Sequence, residues 1–299
     1  MLPKIKGSEA CLISIIIPCY NEEQSIAIVI ESLLKLDLLY ELEIIVVDDC
    51  SIDRTYEISS TYNDVKTVKH GKNRGYGASI VTGIRQARGQ YIAWFDGDSQ
   101  HKAEDLQRLL YTITESELDY CIGARDENSY SESSRKIGKY ILSLVVRIAS
   151  GSNAGDFNSG MRIFKSTVIK RYLHLLPQRF GASTTTTILM LERGYDGVQV
   201  PISVKKRLGE SSVRQIHDGF GTIMLILKIV LLFKPLSFFG LVGGVCITLG
   251  VSYGFIEAIL FGLGFPVLSS ILITLGIQTV FTGLLCDQVS AMRREKFEN

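Results

Sequence analysis

The chain has 299 residues, more than one average domain needs, which fits either one large α/β domain or a catalytic domain with an appendage. Lys and Arg number 32 against 31 Asp and Glu, a net charge of +1, so no global field draws the protein to nucleic acid or to an acidic surface. Six cysteines (Cys11, Cys19, Cys50, Cys121, Cys246, Cys286) contain no C-x-x-C pair, which argues against a zinc knuckle and a disulfide scaffold and for a reducing, cytosolic compartment.

Met1 to Ala10 is short and polar and lacks an apolar core, so no cleaved secretory signal is expected there. Leu12 to Ile17 is a β-branched run ended by Pro18, and Glu22 to Leu36 has apolar residues at helical spacing, which predicts a strand, a turn and a helix. The unit recurs with a strand over Ile44 to Val47, ended by Asp48-Asp49, and a polar helix near Asp53 to Ser60. A third strand, Val65 to Lys69, precedes the glycine-rich stretch Gly71 to Gly77 and a helix through Arg88. Tyr91 to Phe95 is the fourth strand, a helix follows from Ala103 to about Thr112, and a further strand lies around Asp119 to Ile122.

Strands alternating with helices imply a doubly wound, mostly parallel α/β sheet. Ligands of such sheets bind beyond the carboxyl ends of the strands, where Pro18 to Glu22, Asp48-Asp49 and Asp96 to Asp98 all fall. After Arg125 comes a Ser-rich loop (Ser129, Ser131, Ser133, Ser134), read either as a mobile loop over the site or as a plain surface loop, and then an apolar helical stretch from Ile137 to Ala149.

The tail is a different solvent class: from Pro235 to Cys286 the only charged residue is Glu257. Leu236 to Ile256 and Pro266 to Leu285 each have roughly the 20 residues needed to cross a bilayer, and their Gly and Thr content suits packing in lipid. A pair of buried core helices is the competing reading, and too little chain remains to wrap them. Lys228 and Lys234 precede the first span, and Arg293, Arg294 and Lys296 follow the second, so both ends are expected in the cytosol. Thr222 to Phe233 is too short to cross and reads either as an interfacial helix or as a helix packed on the catalytic domain. The expected organisation is a cytosolic catalytic domain over 1–215, a juxtamembrane helix over 216–235, two transmembrane helices over 236–288 and a basic cytosolic tail over 289–299.

Asp96-Gly97-Asp98 directly follows a strand, with nothing basic beside it in sequence to neutralise two carboxylates. A hard divalent cation, Mg2+ or Mn2+, would do so and would bridge them to substrate phosphates, with Gln100 adding an amide oxygen. Alone, D-x-D is a weak signal, since a solvated turn capping the next helix has the same form. Its weight comes from Pro18-Cys19-Tyr20-Asn21-Glu22 at the first strand end, Val47-Asp48-Asp49-Cys50-Ser51 with Asp53 and Thr55 at the second, and Asn73-Arg74-Gly75-Tyr76-Gly77 opening the third helix.

This ordered set of motifs resembles the family 2 glycosyltransferases of the GT-A fold, and within them the dolichyl- or polyprenyl-phosphate hexose synthases. The resemblance implies that Pro18, Tyr20, Glu22 and one or both of Asp48 and Asp49 hold the base and ribose of a nucleotide-diphosphate sugar. It implies that Asp96, Asp98 and Gln100 ligate the metal. Gly123-Ala124-Arg125 and the stretch Asp156 to Phe164 look like acceptor-side elements, and Arg125 is counted with Asp96 toward the sugar nucleotide as well. Val200-Pro201-Ile202, leading to Arg207 and Ser212, resembles the segment that closes over the phosphates, with Arg207 as its guanidinium. Relatives commonly carry a lysine where Ser212 stands, and Lys205, Lys206 or Arg214 would have to substitute for it.

Asp98, Asp156 and Arg207 are the catalytic candidates. Asp156, read as a strand-end carboxylate, would orient the nucleophile or support the metal, and a loop-capping Asp is the alternative. His101 and His217 show no partner in sequence. A lipid monophosphate is a competent nucleophile at neutral pH, and Arg125, Arg135, Lys136 and Arg162 are candidates to receive it. The implied activity is metal-dependent, inverting transfer of a hexose from a UDP- or GDP-linked donor to polyprenyl or dolichyl phosphate at the cytosolic face. The alternatives are transfer to another membrane lipid or a polysaccharide, disfavoured by the absence of a Q-x-x-R-W signature, and an inactive scaffold of the same fold. The sequence is compatible with a homo-oligomer and sets no oligomeric state.

Overall fold

A computed structural model describes residues 12–36, 40–125, 155–179, 181–205, 227–228, 230–262 and 264–295. These residues fall into two compact units, one within 1–219 and one within 220–299.

The first unit is built on a seven-stranded sheet. Its strands are β1 (Leu12–Cys19), β2 (Glu41–Asp48), β3 (Val65–Lys69), β4 (Tyr91–Trp94), β5 (Tyr120–Arg125), β6 (Arg162–Lys165) and β7 (Gly197–Ile202), in the spatial order β3-β2-β1-β4-β6-β5-β7. All neighbours pair in parallel except β6, which runs antiparallel to both β4 and β5. Helices α1 (Ile26–Leu34), α2 (Thr55–Ser59), α3 (Tyr76–Gln86), α4 (Ala103–Glu115), α5 (Ser166–Arg171) and α6 (Ala182–Glu192) connect and cover these strands.

The unbroken apolar runs follow from burial on both faces, where an alternating pattern would leave polar groups without water. Ile13, Ile15, Ile16 and Ile17 are all fully buried, each worth about 1.5–3 kcal/mol relative to exposure. Ile13, Ile15 and Ile17 join one core with Ile26 and Ile30 of α1 and Leu106 and Leu110 of α4. Ile16 faces the opposite layer, where a Cβ on Gly83 of α3 would lie 2.3 Å from its methyl. The chain runs β1 to β3 toward one edge and then returns to place β4 on the other side of β1. The strand order thus reverses between β1 and β4, and sheets of this kind bind ligands beyond the carboxyl ends of the strands at such a switch point.

Two strands were not expected as such. Arg162 to Phe164 lies in β6 and Val200 to Ile202 in β7. β7 is an edge strand, so Pro201, which cannot donate a ladder bond, is tolerated there. The helix after Ala103 also runs on to Glu115, because Leu109, Leu110 and Ile113 continue the buried stripe past Thr112.

The second unit is a hairpin of two long helices, α7 (Pro235–Phe261) and α8 (Val267–Glu295). Their most apolar stretches, Pro235–Leu260 and Val267–Met292, are only 17% buried each among the described residues, where core helices are mostly buried. Large side chains such as Leu241, Ile259 and Leu285 point outward, as lipid-facing residues do. The helices touch through small residues: a Cβ on Gly243 would lie 2.6 Å from the Gly276 carbonyl, and one on Gly276 would lie 2.7 Å from the Gly243 carbonyl. Buried Ser269 donates its hydroxyl to the Gly250 carbonyl. The expected juxtamembrane helix is described only at 227–228 and 230–233, which are helical. The Ser-rich loop, Ile137 to Ala149, Arg135, Lys136, Lys206, Arg207, Ser212, Arg214, His217 and the side chains of Arg293, Arg294 and Lys296 lie outside what is described.

Candidate active site

The ends of β1, β2 and β4 are tied together by hydrogen bonds from backbone and side chains. Asp49 N donates to the Cys19 carbonyl at 2.9 Å, joining β2 to β1. Ser25 Oγ lies 2.8 Å from the Gly97 carbonyl and 2.9 Å from Glu22 Oε2, joining the start of α1 to the turn after β4. The loops after β1 and β2 are zipped as well: Asn21 N donates to Ser51 Oγ, Ile52 N to Asn21 Oδ1, and Glu22 N to Thr55 Oγ1. Asn21, Cys50 and Ser99 each adopt a positive φ, of 56°, 63° and 60°, where a non-glycine residue is uncommon. Each reverses the chain just past a candidate ligand, and strain of this kind persists only where the surrounding bonds enforce it.

Gly97 is required between the two aspartates, since a Cβ there would sit 2.7 Å from Cys19 Sγ. Cys19 in turn reports the local field. Burial, followed by the charges of Glu22, Asp48, Asp96 and Asp98, pushes its thiol well above the ordinary cysteine range. Four carboxylates thus add to the negative field at one buried atom.

The two aspartates of the second strand end differ. Asp49 is consumed by the fold: Oδ1 meets His70 Nδ1 at 2.7 Å and accepts from Arg74 N at 2.9 Å, and Oδ2 accepts from Gly75 N at 2.6 Å. Asp48 is fully buried, accepts Ser51 N on Oδ2, and has Oδ1 without a hydrogen-bond partner among the described residues. A buried carboxylate oxygen in that condition is costly unless a ligand donates to it. Pro18 is buried as the penultimate residue of β1, Tyr20 is half-buried at the bend after it, and Glu22 is 8% exposed.

Asp96 has neighbours that its local sequence does not show. Tyr76 Oη donates to Oδ1 at 2.8 Å, His101 Nε2 is 3.6 Å from Oδ2, and a Cβ on Gly160 would fall 1.8 Å from Oδ2. Burial raises the Asp96 carboxyl, but His101, Tyr76 and the charge of Arg162 outweigh it and hold the group below the usual carboxylate range. The expectation that nothing basic flanks the pair is therefore corrected, and so is that of a partnerless His101. Tyr76 and the charge of Arg162 come from other segments, whereas His101 is brought back by the loop that carries Asp96.

Asp98 is 9% exposed and accepts Gln100 N at 3.1 Å. Gln100 exchanges two bonds with Lys205, Lys205 N to the Gln100 carbonyl at 3.0 Å and Gln100 Nε2 to the Lys205 carbonyl at 2.9 Å. Among the described residues no three His, Cys, Asp or Glu side chains form a closed metal cage. The arrangement fits a hard cation that takes a few protein carboxylates and completes its shell with phosphate oxygens and water.

Asp156 is not at a strand end. It sits in a bend before β6 and forms a bidentate pair with Arg125, Nε to Oδ2 and Nη2 to Oδ1 both at 2.7 Å, while Arg125 N also donates to Oδ2. Burial raises its carboxyl and Arg125 more than reverses this, so Asp156 stays an anion below the usual range.

Arg162, a candidate for the lipid phosphate, has no exposed surface. Its guanidinium donates to the Ser159 and Ser183 carbonyls, both at 2.7 Å, and to Thr186 Oγ1 at 2.8 Å and Thr187 Oγ1 at 3.1 Å, with the Trp94 ring 5.5 Å away. Burial brings its pKa down to about 10, so it remains a cation at neutral pH. It cannot reach an external phosphate. The buried threonine run of α6 was the sequence signal for this role, since hydroxyls in a core need a donor or acceptor to satisfy them.

The profile of glycosyl transferase family 2 matches residues 14–174, and that of the GtrB C-terminal hairpin matches residues 234–292. The UDP-N-acetylglucosamine–dolichyl-phosphate N-acetylglucosaminyltransferase of Methanococcus voltae is 32% identical over 215 residues, covering 64% of this chain and 84% of that protein. The dodecaprenyl-phosphate galacturonate synthase of Rhizobium johnstonii is 28% identical over 166 residues, covering 53% of this chain and 49% of that protein. Among solved structures, glucosyl-3-phosphoglycerate synthase of Mycobacterium tuberculosis, in complex with Mn2+, UDP-glucose and phosphoglyceric acid, superposes with a TM-score of 0.58 at 18% identity. That match covers 74% of this chain and 79% of the synthase.

Proposed function

Since the chain belongs to glycosyl transferase family 2, we propose that it transfers a hexose from a UDP- or GDP-linked sugar to polyprenyl or dolichyl phosphate, with inversion, at the cytosolic face of a membrane. The observation that carries this is the placement of Glu22, Asp48, Asp96 and Asp98 at or just past the carboxyl ends of β1, β2 and β4, in a chain whose other unit is a membrane-length hairpin. The relatives that act on dolichyl or dodecaprenyl phosphate support the acceptor class.

In this reading Asp96, Asp98 and Gln100 would hold Mg2+ or Mn2+, which would supply positive charge to the departing diphosphate. Asp48 Oδ1 takes a donor from the base or ribose, beside Pro18, Tyr20 and Glu22. Asp49 serves the same pocket indirectly by fixing the loop at Arg74 and Gly75. The lipid phosphate has its second pKa near 6 and is mostly a dianion at neutral pH, so no strong general base is required. Its oxygen bonds to the anomeric carbon as the bond from that carbon to the diphosphate oxygen breaks, and one in-line displacement inverts the centre. The chain's part is positioning and charge. Asp156 orients Arg125 at the acceptor side, and Arg207, two residues beyond the Lys205 that grips Gln100, neutralises the leaving group.

The test is incubation of purified protein with polyprenyl phosphate, Mn2+ and a panel of radiolabelled UDP- and GDP-sugars, followed by extraction of the lipid fraction. Label in that fraction from one donor is the expected result. No labelled lipid from any donor would sink the acceptor assignment, and full activity in Asp98→Ala would sink the metal assignment.

A further inference from the structure

The glycine-rich stretch carries a tyrosine, Tyr76, between two glycines, and the reading of the nucleotide site gives it no duty. Its hydroxyl donates to Asp96 Oδ1 at 2.8 Å. A phenol keeps its proton at neutral pH, and a carboxylate can only accept, so the hydroxyl is the donor in this bond.

The backbone that presents Tyr76 is held from two sides. On one, Asp49 receives Arg74 N and Gly75 N, and His70 braces Asp49 through Nδ1 while its Nε2 meets Thr82 Oγ1 at 2.9 Å. On the other, Gly77 N donates to the Arg179 carbonyl at 3.0 Å, and a Cβ on Gly77 would lie 1.9 Å from the Pro177 carbonyl. Gly75, with φ 97°, makes the turn between them in a region that a side chain would strain. Tyr76 therefore cannot shift without breaking bonds on both flanks. The far side of Asp96 is closed too, since Oδ2 abuts Gly160. The carboxylate is clamped between a phenol and a glycine.

We propose that Tyr76 is a positioning residue of the metal and diphosphate site. It fixes the Asp96 carboxylate in one orientation and, through the latch at Asp49, ties it to the strand end that carries Asp48. The inference rests on the proposed metal role of Asp96 and Asp98. Its consequence is that nucleotide and metal reinforce each other's binding through residues 73–76, beyond the direct contact between them.

Tyr76→Phe removes only the hydroxyl. Mn2+ affinity of the full-length protein is measured by electron paramagnetic resonance of free Mn2+, with and without UDP or GDP, alongside thermal unfolding. A hydrogen bond to a charged group is worth enough to predict that Mn2+ affinity with nucleotide falls about tenfold or more. The melting point stays within about 4 °C of the parent. In an Asp96→Asn background, where the acceptor is altered, Tyr76→Phe adds less than about twofold, as coupled residues require. Nucleotide-linked Mn2+ affinity unchanged in Tyr76→Phe, a loss equal in both backgrounds, or a loss explained by unfolding each overturns the positioning role. A parent chain that binds no Mn2+ with either nucleotide overturns the metal reading itself, which separates the two failures.

Discussion

Asp48 and Asp49 are adjacent in sequence and opposite in employment. Asp48 ends β2 and accepts Ser51 N, while Asp49, the first residue beyond the strand, meets His70 and the glycine-rich loop. Asp49→Asn loses an acceptor for charge-strengthened bonds and is expected to destabilise the catalytic unit by about 1–3 kcal/mol, read by chemical denaturation. Asp48→Asn is expected to leave the melting point nearly unchanged and to raise KM for the sugar nucleotide, read by steady-state kinetics. The D-D pair was legible in the sequence as a strand-end cluster, but the division of labour was not. It depends on residues 21 to 26 positions downstream. Arg162 shows the same limit, because its neighbours on α6 lie 21 to 25 positions away and convert an apparent surface cation into a core one.

Several elements approach each other only where a side chain is missing. Gly160 lets the segment before β6 touch Asp96, so Gly160→Ala is expected to displace that carboxylate. The variant should fold with a melting point close to the parent and lose at least about tenfold in kcat/KM, comparable to the loss of one hydrogen bond to a charged group. In the hairpin, the mutual contact of Gly243 and Gly276 predicts that Gly276→Val forces α7 and α8 apart. The expected readout is faster proteolysis of the hairpin in detergent micelles and a lower unfolding midpoint. Helix and strand identities in the first half of the chain were readable from apolar runs and strand-end punctuation. β6 and β7 were not, because β6 is only four residues long and β7 is an edge strand with mixed exposure, and neither carries a clear period of two.

At the scale of the molecule, acid should loosen the catalytic unit before the hairpin. The Asp156, Glu43 and Asp96 carboxyls titrate below their ordinary values, Glu43 because Ser14 and Arg88 more than offset its burial. A group whose folded pKa is depressed adds stability that is present above its unfolded pKa, about 4, and is lost as pH falls through the folded value. The melting point is therefore expected to be flat from about pH 7 to 5 and to drop below about pH 4, and Arg125→Met should make that drop shallower by removing the partner of Asp156. The hairpin predicts that full-length protein resists carbonate extraction and needs detergent for release. Reporters fused at the two ends are expected on the same, cytosolic side.

The order of strand, helix and polar strand end and the length of the two apolar spans came from the sequence alone. They could, because hydrophobic periodicity and turn chemistry are properties of neighbouring residues. The tertiary structure alone decided which buried polar group satisfies which: Tyr76 on Asp96, Arg125 on Asp156, the threonines of α6 on Arg162, and Asp49 on the glycine-rich loop. A polar group cut off from water must find a partner in three dimensions, and nothing in its local sequence names which distant segment will bring it.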